Sequence, residues 1–323
     1  MDVSIVIPTK NGGELLNKVL TKIEEQVTKY QYEIICVDSG SKDDTIEIIK
    51  KHNCKLYQIK PSDFGHGKTR NYGASKGTGK YIIFITQDAL PYNEVWLEEL
   101  VSAMERNPDV VGAFGAHKPY EDCNIFDKRD ITLHFQGFGQ ENTIYQLEDK
   151  KRYETEEGYR HLLAYYSDNN SCMRRDIWNK YPYDDVNFAE DQIWARKMIE
   201  LGYKKLFCPK AIVYHSHNYK LTTYFSRFYD EFKGLYELHQ YVIVNRKLSI
   251  IVNIYRTVRN DIYYLKSLNI SKKEKIKWAN YSFWKTCYRY IGGYLGGNYH
   301  RYSKQKQEFL DKHISQQYKQ RNR

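Results

Sequence analysis

The sequence has no long hydrophobic run. No stretch approaches the eighteen or so apolar residues that a membrane-spanning helix needs. A strand-like pattern also begins directly after Met1 and Asp2, without the charged and apolar regions of a signal peptide. We therefore expect a chain that neither crosses a membrane nor carries a secretory signal.

Glycine, proline and paired cysteines are also scarce. The 323 residues include 19 glycines and 7 prolines, while 41% are hydrophobic and 28% are charged. This composition excludes collagenous and disordered chains. The six cysteines are scattered without a Cys-x-x-Cys pair, so we expect reduced thiols and a cytoplasmic protein. The length predicts about two domains.

Acidic residues become rare toward the C-terminal end. Residues 246–323 hold 18 lysines and arginines against 4 acidic residues, whereas residues 1–245 hold 32 against 36. Ten of the 31 tyrosines lie in the same basic segment. Such a surface suits the anionic lipids of a membrane, and a homodimer face is the alternative. Nucleic acid is not an expected partner because no nucleic-acid motif accompanies the charge.

The first two thirds of the chain alternate β-rich runs with helical periodicity. Strands are predicted at residues 3–7, 33–38, 56–59, 81–86 and 110–116, and helices at about 15–27, 41–49 and 93–106. This alternation predicts an α/β fold with a mostly parallel sheet between helices. Residues 117–160 lack clear periodicity and are predicted to form an irregular, substrate-facing insertion.

Helical patterns dominate from Tyr219 onward. We therefore predict a catalytic domain at residues 1–218 and a C-terminal helical region at residues 219–323 that associates with a membrane or a second subunit. Residues 220–240 are expected to pack on the first domain. In parallel sheets, ligands bind beyond the carboxyl ends of the strands, which directs attention to the polar residues at 8–12, 38–40 and 86–89.

Four motifs in order resemble glycosyltransferase family 2 over about residues 1–218. They are Ser4-Ile-Val-Ile-Pro-Thr-Lys-Asn11, Ile34-Ile-Cys-Val-Asp-Ser-Gly-Ser-Lys-Asp-Asp-Thr45, Gln87-Asp-Ala89 and Phe188-Ala-Glu-Asp-Gln192. Three segments, Phe64-Gly-His-Gly-Lys-Thr-Arg-Asn71, Thr86-Gln-Asp-Ala-Leu-Pro91 and His215-Ser-His217, resemble the bacterial rhamnosyltransferases that build cell-wall and O-antigen polysaccharides. The resemblance implies a GT-A fold, a nucleotide-sugar donor, a divalent metal and an inverting transfer.

The strand-end loops and the segment around Arg70 are the predicted donor-binding residues. The Asp38 carboxylate can accept a hydrogen bond from the imide N–H of uracil or thymine, and capping of its own turn is the alternative. Arg70 offers a planar fork for anionic oxygens, and a solvated basic helix start is the alternative. The full predicted set is Pro8, Thr9, Asn11, Asp38, Ser39, His66, Arg70, Asn71 and Gln87.

One carboxylate and two histidines are the predicted metal ligands. Asp88 stands where the family usually has Asp-x-Asp, with Thr86 in the first position. His215 and His217 follow a strand-like run, which puts both on one face if the strand continues. One aspartate suffices for Mn²⁺ or Mg²⁺ when a diphosphate supplies other oxygens. We favour His215 as a ligand; a surface or hydrogen-bonded histidine pair is the alternative.

Asp191 is the predicted general base because it matches the Glu-Asp motif of the family, with Glu190 as its substitute. A carboxylate at a helix start is otherwise often only a dipole partner. The Gln-x-x-Arg-Trp signature of processive members is absent after Asp191, which favours the addition of one sugar or a few.

These interpretations predict an inverting, metal-dependent rhamnosyltransferase. The expected donor is dTDP-β-L-rhamnose, and the expected acceptor is a lipid-linked or growing cell-surface glycan at the inner face of the bacterial membrane. A UDP-sugar donor is the first alternative. A remote alternative is an inactive membrane or assembly scaffold, against which the acidic residues Asp38, Asp88 and Asp191 argue.

Overall fold

Within the described residues, nine strands form one sheet in the first part of the chain. The computed structural model describes residues 1–186 and 189–321. The strands are β1 (Val3–Thr9), β2 (Tyr32–Asp38), β3 (Cys54–Gln58), β4 (Tyr81–Ile85), β5 (Leu90–Pro91), β6 (Val110–Lys118), β7 (Thr143–Tyr145), β8 (Asn170–Arg174) and β9 (Lys204–Tyr214). Their order across the sheet is β3-β2-β1-β4-β8-β6-β9-β5, and β7 pairs with β9.

The sheet is mixed in direction. Strands β1 to β4 are parallel to one another, as the sequence predicts, whereas β8 runs antiparallel between β4 and β6. β9 is parallel to β6 and antiparallel to both β5 and β7. Because β8 is antiparallel, its first residue, Asn170, pairs with Ile85 at the end of β4. The start of β8 therefore lies at the edge where β4 and β6 end.

Helices cover both faces of the sheet because alternate strand residues are apolar on both sides. Ile5 and Ile7 belong to one buried cluster with Leu100, and Val6 belongs to another with Trp194. The helices are α1 (Gly13–Glu24), α2 (Thr45–Lys51), α3 (His66–Ser75), α4 (Trp96–Arg106), α5 (Ile125–Gln136), α6 (Lys150–Thr155), α7 (Glu157–Ala164), α8 (Arg175–Lys180) and α9 (Glu190–Glu200), with a 3₁₀ turn at Pro61–Asp63.

The segment predicted to be irregular contains regular elements. Helices α5, α6 and part of α7 and strand β7 all lie between residues 117 and 160. Its aromatic residues pack together: Phe135, Phe138 and Tyr145 contact one another or Phe207 of β9. The contacts with Phe207 are long-range, which explains why local periodicity does not reveal them.

The chain divides into two compact units, Met1–His217 and Asn218–Arg323. The second unit is helical, with α10 (Leu221–His239), α11 (Lys247–Ser267), α12 (Lys272–Gly297), α13 (Lys304–His313) and α14 (Gln316–Arg321), and a 3₁₀ turn at Tyr299–Arg301. No helix in the described part of the chain combines the length and apolar character that spanning a bilayer requires.

Helix α10 packs on α12 through glycines. A Cβ atom at Gly296 would lie 2.2 Å from the carbonyl oxygen of Tyr229, and one at Gly292 would lie 2.8 Å from that of Phe225. The Phe225 ring also contacts Tyr288 of α12. Residues 221–239 thus have packing partners within the second unit, and the expectation that they also pack on the first domain stays a prediction.

Candidate active site

The loop after β1 is held by side chains from two other strand ends. The main-chain N–H of Lys10 donates to Oε1 of Gln87 over 2.8 Å, and its carbonyl accepts from Nε2 of Gln87 over 3.1 Å. The N–H of Asn11 donates to Oγ of Ser41 over 2.8 Å. Asn11 has a left-handed backbone, with φ of 50°, which asparagine tolerates better than most residues. Gln87 and Asn11 thus shape this loop.

Asp38 is fully buried and organises the turn after β2. Its Oδ2 accepts from the N–H groups of Gly40 and Ser41 over 2.9 and 3.0 Å. Its Oδ1 accepts from the Ser41 hydroxyl and, at 3.4 Å, from that of Thr9. Ser39 donates to the Thr9 carbonyl through both its N–H and its hydroxyl. The turn-capping alternative for Asp38 is thus present in the structure. Pro8 precedes Thr9 in β1 and is half-buried.

The predicted donor residues of α3 have different environments. His66 is exposed at the start of the helix. The side-chain amide of Asn71 is hydrogen-bonded within the fold. Its Nδ2 donates to the Tyr183 carbonyl over 2.8 Å, and its Oδ1 accepts from Nε1 of Trp178 over 2.9 Å and from the Tyr183 N–H over 3.1 Å. Donor binding by His66 and Asn71 therefore stays a prediction.

Arg70 is buried, at 4% exposure, among acidic side chains. Its Nη1 donates to Oε1 of Glu190 over 2.7 Å, and its Nε lies 3.2 Å from Oδ2 of Asp168. Helix α9 begins with Glu190 and Asp191, directly after Ala189, whose φ of 55° is left-handed. Phe188, the first residue of the sequence motif, lies outside the described residues.

Asp168, Glu190 and Asp191 form the acidic cluster around Arg70. The main-chain N–H of Asp168 donates to Oδ2 of Asp191 over 3.1 Å. Hydroxyl groups of Ser171 and Tyr183 each donate to Oδ1 of Asp168 over 2.7 Å. The structure thus joins the two predicted catalytic carboxylates to Arg70 and adds Asp168.

One guanidinium cannot balance three carboxylates at short range. Burial lowers the pKa of Arg70, but the surrounding carboxylates outweigh that effect and raise it. Burial raises the pKa of Asp168 and of Glu190. Burial, followed by the charges of Asp168 and Glu190, raises the pKa of Asp191 well above its usual range. The acidic cluster therefore holds a proton more readily than exposed aspartates do.

Asp88, His215 and His217 come together as the predicted metal ligands. Oδ1 of Asp88 lies 3.7 Å from Nε2 of His215, and its Oδ2 lies 3.7 Å from Nδ1 of His217. One potential ligand atom from each residue fits within 4.8 Å of the others, and all three residues are half-buried. The histidines follow β9, and the His215 N–H continues its pairing with β6 through the Lys118 carbonyl. One carboxylate and two imidazoles can together hold a divalent cation.

Tyr120 fixes the main chain of Asp88. Its hydroxyl donates to the Asp88 carbonyl over 2.9 Å, and its ring stacks on Tyr214. Burial and the Asp88 carboxylate raise the pKa of Tyr120 to about 12, so this hydroxyl remains a donor at neutral pH.

The segment before β8 links the histidines to the acidic cluster. Nδ2 of Asn169 lies 3.5 Å from Nδ1 of His215, and the preceding residue, Asp168, contacts Asp191. Sequence reasoning missed both Asp168 and Asn169. The available signal was the polar run Ser167-Asp-Asn-Asn-Ser171 directly before buried Cys172 and Met173, but its placement depends on the antiparallel direction of β8.

Comparisons with known proteins show which family this chain resembles. The model of glycosyl transferase family 2 matches residues 4–181. The O-antigen chain rhamnosyltransferase RfbN of Salmonella typhimurium is 32% identical over 236 residues, which cover 71% of each chain. The O-antigen chain rhamnosyltransferase WbaN of Salmonella anatum is 30% identical over 233 residues, which cover 70% of each chain.

Solved structures share the fold. The mannosyltransferase PcManGT from Pyrobaculum calidifontis, in complex with GDP-Man and Mn²⁺, is 15% identical with a TM-score of 0.59, over 93% of this chain and 88% of that one. S. aureus TarS 1–349 in complex with UDP-GlcNAc is 14% identical with a TM-score of 0.53, over 99% and 84%. The predicted GT-A class of fold is confirmed. With a family match over more than half of its length and relatives of this identity, the chain belongs to glycosyltransferase family 2 and is similar to O-antigen rhamnosyltransferases.

Proposed function

We propose that the protein transfers L-rhamnose from dTDP-β-L-rhamnose, with inversion, to a lipid-linked or growing cell-surface polysaccharide. Two relatives that match about 70% of the chain are O-antigen chain rhamnosyltransferases. The observation that carries the proposal is the link through Asp168 and Asn169, which joins Asp191 to His215 across 3.1 and 3.5 Å contacts. These contacts support a site in which the proposed base and the proposed cation ligand act on the same substrate.

Asp191 is the proposed general base. Its Oδ2 is oriented by the N–H of Asp168 and its Oδ1 by the N–H of Gln192. Asp191 is half-buried, whereas Glu190 is 5% exposed and bonded to Arg70. Asp191 would take the proton from the acceptor hydroxyl as that oxygen attacks the anomeric carbon opposite the diphosphate. A raised pKa brings the carboxylate nearer to the operating pH and so makes it a stronger base.

Asp88, His215 and His217 are the proposed ligands of a divalent cation. The donor set fits such an ion, and its two imidazoles favour Mn²⁺ over Mg²⁺, which prefers oxygen ligands. When bound, the cation would stabilise negative charge on the departing diphosphate. Tyr120 and Asn169 would keep Asp88 and His215 in place through the contacts described above.

The loops around Thr9 and Asp38 are the proposed nucleotide site. Asp38 has about four acceptor positions, and the weakest of its contacts is the Thr9 hydroxyl at 3.4 Å. A thymine or uracil imide would take that place. The other predicted contacts, including those of Pro8, Asn11, Ser39, His66, Asn71 and Gln87, belong to the same proposal. For Arg70, burial between carboxylates supports a positioning role over direct contact with the diphosphate.

The second unit is proposed to hold the protein at the inner face of the membrane. Its surplus of basic residues suits anionic lipids, and homodimerisation is the alternative. A lipid-linked acceptor would lie in the same membrane.

Transfer assays with a panel of donors test the proposed function. Purified protein with Mn²⁺ should release dTDP from dTDP-rhamnose, slowly with water and faster with a lipid-linked glycan acceptor. Turnover of UDP-hexoses with none of dTDP-rhamnose would reject the rhamnose donor. Absence of calorimetric binding for every nucleotide in the presence of Mn²⁺ would favour the scaffold alternative.

A further inference from the structure

Helix α11 carries a stripe of exposed apolar side chains, which we name the α11 face. Leu248 is 74% exposed, Ile251 66%, Tyr255 64% and Tyr263 60%. Val252 and Ile262 are also exposed. At about 100° per residue, the six positions fall within an arc of about 120°, so they share one side of the helix. Apolar side chains this exposed and this aligned indicate a surface that contacts something apolar.

The charges on the α11 face are all basic. Arg256, Arg259 and Lys266 are exposed at positions within the same stripe. The Arg259 guanidinium lies 5.8 Å from the centre of the Tyr255 ring, and Nζ of Lys266 lies 5.3 Å from that of Tyr263. Each pair presents an aromatic body beside a cationic head. This arrangement is typical of helices at the boundary between lipid chains and headgroups.

The only acidic residue of α11 is turned away from this face. Asp261 is 5% exposed and accepts a hydrogen bond from Ser282 of α12 over 2.6 Å. The hydroxyls of Thr257 and Tyr290 join the same two helices at 2.9 Å. These polar contacts of α11 therefore lie toward α12, and the side chains that define the α11 face are apolar, aromatic or cationic.

We propose that the α11 face is the surface by which the protein lies on an anionic phospholipid bilayer. Leu248, Ile251 and Tyr255 would enter the boundary between headgroups and acyl chains, while Arg256 and Arg259 would meet lipid phosphates. The inference rests on the proposed function, in which the acceptor is lipid-linked, and it assigns the membrane contact to one face of one helix.

Charge favours lipid over a second copy of the chain. In a two-fold dimer, an interface formed by this face would place the same face of both copies together. Arg256, Arg259 and Lys266 would then meet their own equivalents, and α11 offers no exposed carboxylate to balance them. An anionic bilayer supplies the complementary charge over the whole stripe.

Vesicle flotation of the full chain tests the proposal. The vesicles would contain phosphatidylcholine with or without phosphatidylglycerol, at about 0.05 M and 0.5 M salt. Each basic residue near an anionic surface is worth about fivefold in binding. Arg256→Glu/Arg259→Glu/Lys266→Glu should therefore bind at least 10²-fold more weakly. Leu248→Gln/Ile251→Gln/Tyr255→Gln should lose at least tenfold while keeping helix propensity.

Matched controls come from the first unit. Leu133 and Leu201 are 58% and 52% exposed, and their change to Gln should leave vesicle binding unaltered. Thermal unfolding and release of dTDP from dTDP-rhamnose in lipid-free solution should match the wild type in all variants. If the wild-type protein releases no dTDP, the proposed function is contradicted. The vesicle-binding results test the α11 face independently of that outcome.

Three results would overturn the assignment. The first is absence of binding to phosphatidylglycerol vesicles at low salt, and the second is equal binding of wild type and both triple variants. The third is a wild-type dimer in sedimentation that becomes monomeric in the Gln variant while vesicle binding is unchanged, which would make the α11 face a subunit interface.

Discussion

The main-chain N–H of Asp168 donates a hydrogen bond to Oδ2 of Asp191 over 3.1 Å. The side chain of the same Asp168 lies 3.2 Å from the Arg70 guanidinium, which also binds Glu190. One short segment thus fixes the orientation of the proposed base and places negative charge beside it. The first two predictions depend on this relationship.

Asp191→Asn should abolish proton acceptance while keeping the size of the side chain and one of its two hydrogen bonds, because the amide has a single oxygen to accept from the N–H of Asp168 or Gln192. Turnover of dTDP-rhamnose with acceptor should fall by about 10² to 10⁴, with nearly unchanged donor affinity. Glu190→Gln is the matched comparison, because it removes the negative charge of the adjacent carboxylate but leaves Asp191. It should reduce turnover less and destabilise the fold by about 1–3 kcal/mol, because Oε1 of the glutamine can still accept from Arg70 but the ion pair is lost.

Single-turnover kinetics measure the rate of transfer, and calorimetry of dTDP binding measures the donor affinity separately. If Asp191→Asn turns over at the wild-type rate while Glu190→Gln does not, the base is Glu190. If neither variant loses activity, the acidic cluster is not the base.

The pH dependence of kcat/KM should reveal the raised pKa of Asp191. The base acts only when ionised, and burial with the neighbouring carboxylates raises the pKa of Asp191. Activity should therefore disappear as the pH falls through that raised value, at a higher pH than for an ordinary aspartate, near 3.9. Asp168→Asn removes one negative charge, lowers the pKa of Asp191 and should move the acid limb to lower pH.

Asp109→Asn is the control for this shift. Asp109 is an exposed aspartate whose ion pair with Lys204 spans 3.3 Å at the surface. Its profile should overlay that of the wild type. An acid limb that stays in place in Asp168→Asn would mean that the proton-limited group is not next to Asp168.

Residues at the ends of parallel strands could be predicted from the sequence because their position follows from topology. Asp88 ends the β4 region and the two histidines follow β9, so a sheet with ligands at its carboxyl edge brings them together. The acidic pair at the start of α9 was predicted from its motif. These inferences needed element order together with the motifs that resemble the family.

Asp168 could not be predicted in the same way. Its position depends on β8 running antiparallel between β4 and β6, and alternating periodicity does not encode strand direction. Asn71 shows the opposite difficulty, since its motif indicates donor binding while its amide is used to hold Tyr183 and Trp178. Residue type and spacing do not reveal which polar groups are already paired inside the fold.

Removal of the proposed metal ligands should weaken nucleotide binding in a graded order. Asp88→Ala removes the only carboxylate of the three proposed ligands and should abolish the Mn²⁺-dependent part of dTDP affinity. His215→Ala and His217→Ala each remove one neutral ligand and should weaken it less. EDTA should reproduce the Asp88→Ala result in the wild-type protein. Calorimetric titration of dTDP with and without Mn²⁺ measures all four.

His313→Ala serves as the control, because His313 is an exposed histidine of α13. It should bind Mn²⁺ and dTDP as the wild type does. Full activity after exhaustive chelation would show that transfer needs no divalent cation and that other positive groups neutralise the diphosphate.

Gly296→Ala should destabilise the second unit. The added Cβ would lie 2.2 Å from the carbonyl oxygen of Tyr229, a backbone atom that cannot move without displacing α10 from α12. Overpacking of this kind costs about 1–3 kcal/mol.

Gly158→Ala is the matched substitution, since Gly158 also lies in a helix but has no atom within 4 Å of an added Cβ. It should be neutral or stabilise the protein by up to about 1 kcal/mol. Denaturant unfolding followed by tryptophan fluorescence compares the two variants. Equal stability would mean that α10 and α12 are not held in the close contact described above.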